Sequence, residues 1–262
     1  SDLRTAAARH VFVLGFLRSG TTLLGAVLEG HPGVAALEED CLLDAAQEFL
    51  RRPEDLERLA YASAATLERF RAAYWRRVAA AGVDVTGKVF VDTCALNSMK
   101  LPLIARLFPG AKILFSCRDP RDLVLSCFTH RFAMSAPAYE LLTLEGAARY
   151  YVSVMQLVIR LTQLLSLDVC LVRHEDMVSG FAREMVRQCE FLGLDWHAAM
   201  GDFALRAGTR AGLSAVAQLV RGLGTEGIGR WRRYHRQLEP VAALLEPWVE
   251  RFYYDAGTGP PP

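Results

Sequence analysis

Residues His10–Leu28 read HVFVLGFLRSGTTLLGAVL. The run His10–Gly15 is almost unbroken in apolar character and rich in β-branched and aromatic residues, the pattern of a strand covered on both faces. It stops at Gly15, passes through the short loop Phe16–Gly20, and resumes as a helical pattern over Thr22–Leu28. Gly15 and Gly20 have the spacing of a Walker-type phosphate loop, but Thr21-Thr22 stand where that loop has a lysine followed by Ser or Thr. The scaffold survives the change, because glycine permits the tight turn and the amides at the helix start form an anion site. The cation has moved into the loop, at Arg18. This suits an anion needing fewer charges than a magnesium-bound triphosphate. A plain strand–turn–helix with incidental glycines would leave Arg18, Thr21 and Thr22 unexplained.

Three further runs, Lys88–Asp92, Lys112–Cys117 and Asp168–Arg173, have the same strand character. Helical patterns separate them, at Cys41–Leu50, Pro53–Ala81, Ser98–Phe108, Arg121–Phe132, Leu144–Leu165 and Phe181–Leu192, with a last one over Leu238–Tyr253. The alternation implies an α/β fold, a P-loop-like parallel sheet flanked by helices on both faces. No linker or repeat divides the chain, so residues 1–256 are expected to form a single domain. Gly208–Gly229 is expected to be a mobile loop and Gly257–Pro262 a disordered tail. The start at Ser1, without an initiator methionine, suggests a piece of something longer.

The 262 residues are 52% hydrophobic and 23% charged, enough to bury a large core, with a formal net charge of +1. So small a charge excludes a global field that would recruit nucleic acid or an anionic membrane; any anion must be bound locally. The six cysteines, Cys41, Cys94, Cys117, Cys127, Cys170 and Cys189, form no CxxC pair and no zinc spacing. They read as reduced thiols, which points to a cytoplasmic setting. Every apolar run is broken by charge short of the roughly 18 residues needed to span a bilayer. No metal site is expected. The Ala/Arg/Leu-rich composition resembles that of a GC-rich bacterial genome.

A second anion site is legible at Arg118–Asp122, RDPRD, directly after the strand Lys112–Cys117. Asp119 suits a helix N-cap and Pro120 the first helical position. Arg118 then sits at a strand's carboxyl end beside a helix start, where open α/β sheets bind ligands, with a planar guanidinium fit for phosphate. The competing reading is a salt-bridge cluster at the helix start.

Taken together, GFLRSGTTLL and RDPRDLVLSCF resemble the 5′-phosphosulfate and 3′-phosphate motifs of sulfotransferases that use 3′-phosphoadenosine-5′-phosphosulfate (PAPS). HPGVAALEED, IARLFPGAKI, LVRHEDMV and IGRWRRYHRQLEP are similar in order to tyrosylprotein sulfotransferases and their bacterial, tetratricopeptide-associated relatives, so the resemblance runs from His10 to about Pro247. It implies the sulfotransferase fold and transfer of a sulfuryl group from PAPS, without a metal, to a hydroxyl or phenol. It implies that Arg18, Ser19, Gly20, Thr21 and Thr22 hold the 5′-phosphosulfate. Arg118 and Ser126, with Arg230 nearby, would hold the 3′-phosphate, and Glu39 would be the general base.

The departures are informative. Leu17 replaces a proline of the loop. Thr93 stands where the family has a lysine that stabilises the leaving oxygen; it supplies one neutral hydrogen bond, and Lys100 or Arg18 would have to supply charge. His174 replaces a tyrosine near the adenine, and Gly229 a serine. A catalytically weakened phosphoadenosine-binding module is therefore an alternative. A P-loop nucleotide kinase is another, opposed by Thr21 in the lysine position. The acceptor is expected to be a small molecule or a peptide, with Phe128, Phe132 and Tyr139 as candidate apolar lining, although Phe128 and Phe132 have core spacing. His31 reads as a turn residue and His130 as a lesser candidate for function. Trp231–Tyr234 interleave cations and rings, which the donor's phosphate explains without nucleic acid. Nothing in the sequence sets the oligomeric state.

Overall fold

Five strands pair wholly in parallel in the order β2-β3-β1-β4-β5: β1 (Arg9–Gly15), β2 (Val34–Glu38), β3 (Val89–Thr93), β4 (Lys112–Cys117) and β5 (Asp168–Arg173). The computed structural model describes residues 7, 9–38, 42–203 and 225–252. Within these the helices are α1 (Thr21–Leu28), α2 (Pro53–Ala60), α3 (Ala64–Ala80), α4 (Leu101–Leu107), α5 (Pro120–Thr129), α6 (Ala136–Glu140), α7 (Leu144–Leu164), α8 (His174–Ser179), α9 (Phe181–Leu192) and α10 (His235–Arg251).

Alternate strand residues feed two cores. Phe12, Leu14, Phe90, Ile113 and Phe115 pack on one face against α2–α5, α7 and α10. Val11, Val13, Val89, Val91, Leu114 and Val172 pack on the other against α1, α8 and α9. Double coverage is why the strands read as continuous apolar runs. It also locates the site. β1 and β4 are neighbours, yet β1 leads into α1 on one face and β4 into α5 on the other, so a crevice opens between their carboxyl ends.

The structure corrects several expectations. The fifth strand, β2, was not expected: Val-Ala-Ala-Leu-Glu has one β-branched residue and makes a strand only because it pairs with β3, Glu38 opposite Thr93. The single helix expected over Pro53–Ala81 is two, because the Ser63 side chain caps α3 by accepting the Thr66 N–H at 3.2 Å. Leu42–Leu50 and Ala95–Lys100 are 3₁₀ turns. Helix α5 stops at Thr129, with His130 extended. Most of the loop expected at Gly208–Gly229 and the tail at Gly257–Pro262 lie outside the described residues.

Candidate active site

The first loop is built around backbone geometry that only some residues tolerate. Gly20, the N-cap of α1, has φ +106°, and no side chain caps this helix, leaving its first amides directed at the crevice. Arg18 has φ +66°, the one non-glycine residue in the left-handed region among those described. Such a conformation persists only where its surroundings enforce it. Here the enforcement is visible: the Arg18 carbonyl accepts from Arg118 Nη1 at 3.3 Å, and Arg18 Nε donates to Ser126 Oγ at 3.2 Å.

The register Gly15 opposite Ser116 brings the two motifs together across about a hundred residues of sequence. Ser116 Oγ donates to the Ser19 carbonyl at 2.9 Å, and the Cys127 thiol to the Leu17 carbonyl at 3.4 Å. The loop therefore rests on the end of β4 and on α5. Burial pushes the Cys127 thiol up to about 12, which keeps it a neutral donor.

The expected site residues take distinct places. Thr21 is buried and Thr22 half-buried in the first turn of α1. The Ser19 side chain turns inward, so that a Cβ on Gly15 would collide with its hydroxyl. Thr93 is buried, its hydroxyl without a partner and facing Gly25 of α1, where a Cβ would lie 2.8 Å away. Lys100 pairs with Asp44 at 3.4 Å. His174 packs on the loop: a Cβ on Gly20 would sit 2.9 Å from its Nδ1, an atom sealed from solvent with no partner. Burial, with the charges of Arg118 and Arg18, lowers the His174 pKa from 6.5 to about 3, so the ring is neutral. Arg230 is exposed, its guanidinium 5.6 Å from the Tyr234 ring. Glu39 lies outside the described residues; its neighbour Glu38 ends β2 opposite Thr93.

The helix-start reading of RDPRD is realised. Asp119 accepts the Arg121 N–H at 2.9 Å and grips the Arg121 guanidinium at 2.9 and 2.6 Å, so these two residues form the helix-start ion pair. Arg118 stands outside that pair, with Nη2 on the Gly227 carbonyl at 2.7 Å and Nε buried without a partner. Sequence reasoning passed over Asp122. It is buried, and burial raises its pKa from 3.8 to about 6 against the pull of the Trp231 and Gly229 amides and Arg118. Its only signal was an acid in the first turn of an apolar helix.

Beyond Ser126, the residues Phe128, His130, Phe132, Met134, Leu141 and Leu142 line a depression of about 120 Å³. Phe128 is 44% exposed, so it is lining and not core. Burial and the nearby Arg18 charge lower the His130 pKa. His31 is a turn residue: its Nδ1 accepts the Gly33 N–H at 2.9 Å and its Nε2 meets the Asp195 carbonyl at 3.0 Å.

Over 96% of its length the chain is 25% identical to protein-tyrosine sulfotransferase 1 of Danio rerio, covering 74% of that protein. The sulfotransferase domain from the curacin biosynthetic pathway shares the fold, with a TM-score of 0.65 at 16% identity over 96% of this chain and all of that one. Mouse sulfotransferase SULT7A1, solved with PAP, superposes with a TM-score of 0.54 at 15% identity over 92% and 86% of the two chains. The model of the sulfotransferase family matches residues 10–198, and the chain belongs to that family.

Proposed function

We propose that this sulfotransferase takes its sulfuryl group from PAPS, bound across the β1–β4 crevice, and delivers it to a hydroxyl or phenol. The observation that carries the reading is the pairing of two cationic anion sites, linked through Arg118 to the Arg18 carbonyl and through Arg18 to Ser126. One nucleotide carrying phosphate at its 3′ and 5′ positions would engage both at once, whereas two separate anions would have no reason to share linked residues. The residues present suit such a ligand. The uncapped start of α1 with Arg18, Thr21 and Thr22 would hold the 5′ end, and Arg118 and Ser126 the 3′ end. Buried polar atoms without partners, Arg118 Nε and His174 Nδ1, lie around the same crevice. The mouse relative's PAP supports the choice of nucleotide. The bound donor supplies the sulfuryl group; the chain supplies orientation, positive charge and a proton acceptor.

The acceptor is proposed to approach over the apolar depression beyond Ser126, with Glu39 taking its proton. Removing that basicity with Glu39→Gln should lower turnover by ~10²-fold or more and leave donor affinity near normal. The assay is release of labelled sulfate ester on a panel of phenols, alcohols and tyrosine peptides. Full activity in Glu39→Gln, with loss in His130→Ala, would move the base to the end of α5. Thr93, a neutral hydroxyl in place of a cation, favours a second reading as a phosphoadenosine-binding module with weakened catalysis. No transfer to any acceptor, with donor binding intact, would support it. Among the described residues, no helix is long and apolar enough to cross a membrane.

A further inference from the structure

Asp122 has no evident place in an anion site. It is a buried carboxylate one turn from Arg118, on the helix expected to receive a phosphate, where its charge would repel the ligand. Both its oxygens are nevertheless engaged by backbone far away in sequence. Oδ2 accepts the Gly229 N–H at 2.6 Å and Oδ1 the Trp231 N–H at 2.7 Å. Gly229 has φ +69°, so this turn favours glycine at the point where the carboxylate grips it.

Two further contacts hold the same segment to the same motif. Arg118 Nη2 donates to the Gly227 carbonyl at 2.7 Å, and the Arg121 guanidinium lies 3.8 Å from the centre of the Trp231 ring. Arg121 is itself clamped by Asp119. All of the charged residues of RDPRD thus take part, directly or through a neighbour, in holding 227–231.

We propose that Asp122 is a positioning residue: its carboxylate docks the segment 227–231 on the start of α5, and this docking sets Arg118 to receive the donor's 3′-phosphate. The proposal rests on the donor reading above. The chemistry is that of charge-assisted hydrogen bonds to paired backbone amides, which a neutral amide side chain cannot reproduce. Asn at 122 would accept one N–H and turn its own NH₂ toward the other. With the segment released, the Gly227 carbonyl leaves Arg118 and the guanidinium is no longer fixed between two loops. Because Arg118 would serve the end of the donor remote from the reacting sulfur, the loss falls on binding and not on the chemical step.

The test has two arms. In the ligand-free protein, hydrogen exchange is followed in a peptide spanning Ile228–Tyr234. Asp122→Asn should speed exchange of the Gly229 and Trp231 amides about tenfold or more, with β1 and β4 unchanged. In steady-state kinetics the same variant should raise the donor KM about tenfold with kcat within about twofold, and Asp122→Glu should recover much of both. Unchanged exchange would overturn the docking. Faster exchange with an unchanged donor KM would overturn the positioning role. A wild-type protein that binds no donor would sink the donor reading and this role together, while the exchange arm still decides whether the docking is real. Should Asp122→Asn loosen the sheet as well, the two measurements are repeated on Arg121→Gln, where unchanged values count against the proposal.

Discussion

Thr93 shows how a single position separates stability from function. Its hydroxyl is buried without a partner, and a stranded polar group of this kind costs about 1–3 kcal/mol. Thr93→Val keeps the shape and removes the hydroxyl. It should therefore raise the stability of the ligand-free protein while lowering turnover, if the hydroxyl serves the reaction. Thermal melts and initial rates on the same samples check this; a destabilised Val variant would mean that the hydroxyl is bonded in the folded chain. The hydroxyl lies against Gly25 of α1, where a Cβ would be 2.8 Å away. The histidines make a second residue-scale prediction. His10 donates through Nε2 to Tyr74, whose hydroxyl donates to Asp92, each at 2.8 Å. Burial lowers the His10 pKa from 6.5 to about 3, as it does for His174. The folded chain keeps both neutral while the unfolded chain takes up their protons below 6.5, so stability present at neutral pH is lost as the pH falls. Each site contributes a slope of about 1.4 kcal/mol per pH unit below its unfolded pKa. Asp122 acts oppositely: its folded pKa of about 6 exceeds its unfolded 3.8, offsetting roughly one histidine between those values. Denaturant unfolding at several pH values from 7.5 to 5 should show the decline, and His174→Asn should flatten it; an unchanged slope would place a charged His174 in the folded state.

At the scale of the element, the loop before α1 depends on a glycine that sequence spacing alone singled out. Gly20→Ala would demand φ near +106° of a residue with a Cβ, placed 2.9 Å from His174 Nδ1. The strain is about 1–3 kcal/mol, and the helix start would shift away from the crevice. The expected outcome is a lower melting temperature together with lost donor binding, read by calorimetry; normal binding would show that α1's first turn does not form the anion site. Why some elements were legible and others not follows from the range of the forces that make them. The strand, loop and helix at His10–Leu28 are contiguous and carry their own punctuation, so they could be read directly. Ser63 also carried a local signal, its side chain capping α3, but the long apolar pattern around it masked the break. β2 had no local signal at all: two alanines and a glutamate become a strand only beside β3.

Across the whole molecule, the sheet order could not be read from the sequence, and the site depends on it. Nothing in GFLRSGTTLL or RDPRD says that β1 and β4 are neighbours, yet their pairing sets Gly15 beside Ser116 and allows Arg118 to reach the Arg18 carbonyl. The two motifs were recognisable separately; their union was available only through the resemblance. The Trp231–Tyr234 cluster shows the same limit. In sequence it looked like interleaved rings and cations, whereas in the fold Trp231 is stacked on Arg121 and its amide is held by Asp122. The central claim is therefore geometrical: one crevice with two anion sites at a fixed separation. Calorimetric titration in the presence of a metal chelator, comparing 3′-phosphoadenosine-5′-phosphate with AMP on wild type and Arg118→Ala, tests it most directly. The account predicts that the bisphosphate binds much more tightly than AMP to the wild type. Arg118→Ala should weaken the bisphosphate by ~1.5–3 kcal/mol, leave AMP nearly unchanged, and still fold. Equal affinity of the two nucleotides for the wild-type protein would contradict it.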